Sequence, residues 1–152
     1  MPFPLSAQGA IEVPLTRAED AERLIKALET ALRNESASEM SRHANELTFR
    51  GGIFRLVSNW NQLVAITSGL VRFSFSADHA RIEYRITFTQ MLALVPAMLA
   101  FFCLPALSAP RFEFPPWPFF VLIAAWLFGG NYFMTRYRFP RFLRRAAQTV
   151  LN

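Results

Sequence analysis

The stretch LVRFSFSADHARIEYRITF, residues 70–88, alternates apolar and polar side chains twice over. Val71, Phe73 and Phe75 are separated by Arg72 and Ser74, and Ile82, Tyr84, Ile86 and Phe88 by Glu83, Arg85 and Thr87. A period of two is the signature of a strand with one face in a core and the other in water. The alternation breaks around Asp78 and His79, residue types suited to a turn. A hairpin closed there sets Phe75 opposite Ile82, Phe73 opposite Tyr84 and Val71 opposite Ile86, so that every apolar residue shares one face. On the polar face this register places Arg72 opposite Arg85, with Glu83 close by, as a solvated charge cluster.

Such a sheet needs a cover, and the segment before it supplies one. Ala21, Leu24, Ile25, Leu28, Ala31 and Leu32 recur at the spacing of one helical face. Thr16 and Glu19 have the spacing of a capping box, which predicts a helix starting at Thr16. Glu22 with Lys26 and Glu29 with Arg33 are four apart on the opposite face, in the favourable order. Residues 1–15 contain Pro2, Pro4 and Pro14 and read as an extended arm; residues 35–45 are polar and read as a loop or a short helical turn. ELTFRGGIFRLV (46–57) and QLVAIT (62–67) predict two further strands joined through Ser58-Asn59-Trp60-Asn61. The Gly51-Gly52 pair falls near Thr67 to Gly69 of its neighbour and predicts a bulge or bend. The expected fold class is therefore α+β, with one amphipathic helix on an antiparallel sheet of about four strands over residues 16–88.

The rest of the chain differs in character. Hydrophobic residues make up 53% of the sequence, which includes 16 phenylalanines, and this apolar content concentrates after residue 86. No charged residue lies between Arg85 and Arg111, or between Glu113 and Arg136. A bilayer core takes roughly 20 apolar residues in a helix. QMLALVPAMLAFFCLPALSA (90–109) and PFFVLIAAWLFGGNYFMT (118–135) meet that length, and a two-helix transmembrane hairpin over residues 89–135 is expected. Gly129, Gly130 and Asn131 are the expected helix-to-helix contact within it.

RYRFPRFLRRAAQ, residues 136–148, holds five arginines and no acid. Leu143, Ala146, Ala147 and Val150 share a face, so residues 136–152 read as a basic amphipathic helix lying among anionic headgroups, which Arg136, Arg138, Arg141, Arg144 and Arg145 would contact. With only Arg111 in the connector, the excess of positive charge predicts both termini in the cytoplasm of a bacterial inner membrane. The stretch RGGIFRLVSNWNQLV resembles parts of small bacterial membrane proteins, and the resemblance implies no activity.

Chemistry is harder to find. The net charge is +5, and of sixteen basic residues only Lys26 is a lysine. Cys103 is the single cysteine, which excludes an intrachain disulfide and a cysteine pair for a metal. His43 and His79 have no ligand-forming partner at metal-site spacing. No nucleophile elbow, phosphate loop or pair of carboxylates in an apolar setting occurs, so no enzyme activity, cofactor or metal is expected. Nucleic acid is not expected either, since the strand aromatics belong to the core and no recognition motif is present. The reading is a non-enzymatic membrane protein acting as an accessory or scaffolding subunit, with membrane-protein partners or a homo-oligomer. The alternative is a sensor whose pocket lies near Gly51, Gly52 and Gly69, with Gly51, Gly52 and Trp60 as contacts at the bend and turn.

Overall fold

A computed structural model of the chain describes residues 6–15, 19–35, 37–51, 66–90 and 117–151, together with 92, 93, 96, 97, 100 and 101. In chain order the elements are strand β1 (Ser6–Pro14), helix α1 (Asp20–Asn34), strands β2 (Ser38–His43), β3 (Glu46–Arg50), β4 (Ser68–Phe75) and β5 (His79–Thr87), and helix α2 (Trp117–Leu151). The strands form one antiparallel sheet of order β1-β5-β4-β3-β2. Strands β2 to β5 are a meander, and β1 closes the far edge against β5.

The α+β class and the helix-on-sheet layering match expectation, but the sheet has five strands rather than four. The extended arm is strand β1. Its Ala7, Ile11 and Val13 are buried while Gln8 and Glu12 point outward, an alternation that three prolines had masked. The polar segment 35–45 contributes β2, which turns into β3 through Ala44 and Asn45. Ala44 holds a φ of 48° and Glu39, at a register irregularity in β2, also has φ 48°. Left-handed backbone disfavours alanine because its Cβ crowds the following carbonyl.

The β4–β5 hairpin closes one residue earlier than expected. Ser76 N–H donates to the His79 carbonyl at 2.8 Å, so the loop centres on Ala77-Asp78. Moving the turn by one residue moves the register by two, giving Phe75 opposite Ala80, Phe73 opposite Ile82 and Val71 opposite Tyr84. A shift of two preserves the apolar face. It changes the polar one: Arg72 now faces Glu83 instead of Arg85, and its guanidinium bonds Glu46 of β3 at 2.6 Å.

Helix α1 begins at Asp20 with Glu19 at the N-cap and no side-chain cap; Thr16 lies outside the described residues. Leu24, Ile25, Leu28 and Leu32 are buried against the sheet and α2. The Glu29–Arg33 pair forms at 2.8 Å, but Glu22 is drawn away from Lys26 to a two-pronged bond with Arg42 of β2, at 2.7 and 2.8 Å. A forked guanidinium suits both carboxylate oxygens better than an ammonium four residues away.

Two glycines on the inner sheet face set how closely aromatic rings pack. A Cβ on Gly69 would collide with the ring of Phe49 on the neighbouring strand, and a Cβ on Gly9 with the ring and hydroxyl of Tyr84. Both rings therefore lie flat over strand backbone and meet Phe139 of α2, with centroids at 6.3 Å from Phe49 and 5.2 Å from Tyr84. Phe139, Leu143, Ala146 and Ala147 complete the core.

This packing overturns the transmembrane hairpin. Among the described residues no helix is long and apolar enough to cross a membrane. The expected second span is the first half of a single 35-residue helix that continues through Pro140 without interruption. Its arginine-rich half does not lie apolar-side-down in a headgroup layer, because that side is used to seal the domain core. Most of the expected first span lies outside the described residues. A two-pass protein of a bacterial inner membrane is therefore not supported.

Gly69→Ala is expected to lower stability by about 1–3 kcal/mol, because the Phe49 ring has to leave its place under Phe139; urea unfolding measures it. Ala44→Asn is expected to raise stability by about 0.5–1 kcal/mol in the same assay, since asparagine tolerates left-handed backbone. The Arg42 hydrogen bond holds the Glu22 carboxyl below its ordinary range. A lowered folded-state pKa adds stability above the unfolded value and loses it as pH falls through the folded one. The gap in Tm between the protein and its Glu22→Gln variant should therefore be present near neutral pH and close as acid titrates the carboxyl below its ordinary range.

Candidate docking surface

Helix α2 has two halves with opposite fates. From Thr135 onward, Thr135, Phe139, Leu143, Ala146 and Ala147 are buried at helical spacing against α1, β1 and the sheet. Before Thr135 no described side chain of the helix is buried. Phe119, Val121, Leu122, Trp126, Phe133 and Met134 are all more than half exposed, with Trp126 at 73%. Tyr132 is the joint between the halves: it meets Phe88 at the end of β5 edge to face at 5.2 Å and stacks with Phe128 at 6.4 Å.

The exposed residues are ordered. Phe119, Leu122, Trp126, Phe133 and Tyr137 follow one another three, four, seven and four residues apart, which keeps them on one side of the helix. Arg141 and Arg144 continue the same line, four and three residues further on. The side chains at the changeover are coupled: the Arg141 guanidinium stacks 3.9 Å from the Tyr137 ring centre and donates to its hydroxyl at 2.5 Å. An aromatic-to-cationic stripe thus runs along the outward side of α2, opposite the core.

Arg136, Arg138, Arg141, Arg144 and Arg145 are all exposed, and none pairs with a carboxylate among the described residues. Among the described residues nothing lies within 4 Å of where a Cβ would stand on Gly129 or Gly130. Asn131 is half-buried beside them. Sequence reasoning divided residues 118–152 into a span and a separate tail, and so missed the stripe that crosses the division. Reading one unbroken helical periodicity through Thr135 would have found it.

The other predicted positions sit elsewhere. Gly51 is buried and donates its N–H to the Thr67 carbonyl at 2.9 Å, and Gly69 lies under Phe49; Gly52 and Trp60 are outside the described residues. On the outer sheet face, open grooves of about 510 and 600 Å³ flank Arg85. The charges around it are internally paired, Arg50 with Glu39 at 2.9 Å and Arg81 with Glu83 at 3.0 Å.

His79 bonds its neighbour Asp78 at 2.7 Å, which holds that carboxyl below its usual range. His43 lies 3.2 Å from the Ser41 hydroxyl. These contacts are local to two turns, and among the described residues no group of three or more His, Cys, Asp or Glu is placed to hold a metal. Burial raises the Tyr84 phenol above its ordinary value, against an opposing influence of Arg136, so Tyr84 is a neutral core group.

No family model, curated protein or solved structure matches the chain.

Proposed function

We propose that the protein is a non-catalytic accessory or scaffolding subunit, held in a larger assembly by the outward stripe of α2. What supports the reading is the division of that helix. A side chain such as Trp126 or Phe133 gains about 1.5–3 kcal/mol on full burial, yet these two are 73% and 68% exposed while the other half of the same helix completes the core. Continuous exposed apolar surface of this kind marks an interaction site. The helix is fixed to the domain by Phe139 and Leu143, so whatever grips the stripe also fixes the domain's orientation.

The second reading, a ligand-sensing module, draws on the grooves beside Arg85. Its expected pocket at the glycine bend is occupied on the inner side by the Phe49 ring. The outer grooves are open, and the charges around Arg85 are paired with one another.

The subunit reading is tested by tagging the full chain in its native host, extracting mildly and determining native mass and composition. A heteromeric complex of fixed stoichiometry is expected, and the double variant Trp126→Ser/Phe133→Ser should lose it while keeping its circular dichroism spectrum. Recovery of the unaltered protein only at 17.4 kDa or a small multiple of it would sink the reading.

A further inference from the structure

We propose that the stripe on α2 binds an anionic lipid surface, with the helix lying along that surface and not across it. The inference rests on the reading of the stripe as the attachment surface and names what it attaches to. Charge decides among the possible occupants. From Phe114 to the end of the given sequence there is no acidic residue, and five exposed arginines gather around the second half of α2. A second copy of this helix would offer no counter-charge along the stripe. An anionic headgroup layer offers it continuously.

A helix lying along a layer with an apolar interior and a charged boundary meets it with one side, and this side carries both kinds of contact. Phe119, Leu122, Trp126 and Phe133 come first, then Tyr137, then Arg141 and Arg144, all on one side of one helix. Tryptophan and tyrosine favour the interface between acyl chains and headgroups, where a ring is buried and a polar atom stays wet. Tyr137 is placed there with Arg141 stacked on it, so the cation is presented beside the ring at the changeover from apolar to basic. Arg136, Arg138 and Arg145 lie to either side and extend the basic zone laterally, as a flat anionic surface requires and a narrow acidic groove does not. Helices of this kind bind by buried apolar area and electrostatic attraction together.

The test is flotation of the purified full chain with vesicles of phosphatidylcholine alone or with about a third phosphatidylglycerol. Partitioning onto the anionic vesicles should exceed that onto neutral ones by about tenfold or more and weaken as salt rises. Arg141→Gln/Arg144→Gln should remove most of that difference with no change in Tm, while Trp126→Ser/Phe133→Ser should reduce binding to both vesicle types. Equal partitioning onto the two compositions, or an arginine variant that binds like the parent, overturns the inference. Absence of vesicle binding from a protein that still forms a stoichiometric complex overturns it too, and leaves the subunit reading standing with a protein at the stripe. Vesicle binding by a chain that extracts alone supports the lipid surface and removes the subunit.

Discussion

Phe139 is the contact on which the rest of this structure depends. Its ring meets Phe49 and Tyr84, and those two rings are able to lie low only because Gly69 and Gly9 beneath them lack a Cβ. Aromatic pairs of this geometry add about 0.5–1.5 kcal/mol each beyond the area they bury. The consequence reaches beyond stability. Phe139 ties a distant C-terminal helix to the centre of the sheet, and once that turn is fixed the helix axis is fixed along its whole length.

The geometry of the exposed stripe follows from that anchoring. A helix of 35 residues extends over roughly 50 Å at ~1.5 Å per residue, far more than the sheet can cover. The domain uses its C-terminal turns, where small Ala146 and Ala147 let the helix approach α1 and the sheet closely. The remainder projects with its aromatic residues exposed. Because helical periodicity persists through Pro140, the side opposite Phe139 and Leu143 is the same side from Phe119 to Arg144. The apolar stripe and the arginines therefore form one surface.

Electrostatics on the sheet side is self-contained by comparison. The two-residue change of register at the β4–β5 hairpin exchanges an arginine opposite an arginine for an arginine opposite Glu83, and it leaves Arg72 free to reach Glu46. Exposed pairs of this sort contribute little stability each. They do leave the outer sheet face without a large field of one sign. Among the described residues the five arginines of α2 are the largest group of cations without a carboxylate partner.

The sequence by itself determined the elements whose information is local. Alternation over residues 70–88 defined β4 and β5, and the three-four spacing of Leu24, Ile25, Leu28 and Leu32 defined α1, because the periods of strand and helix are written into consecutive residues. The faces of the hairpin were legible; its register was not, since a shift of two residues leaves the apolar pattern unchanged. Strand β1 became visible only against β5, because prolines and a glycine conceal its alternation and its backbone bonds lie on a strand about seventy residues away. The decisive ambiguity was in α2. An apolar run followed by an arginine run has the same local pattern whether it spans a bilayer or stands on a domain, and the arginines of the candidate surface were legible while their alignment with Phe119, Trp126 and Tyr137 was not. The tertiary structure decided between them, because burying Phe139 over two glycines of the sheet commits one side of the C-terminal half to the core and leaves the opposite side exposed along the whole helix.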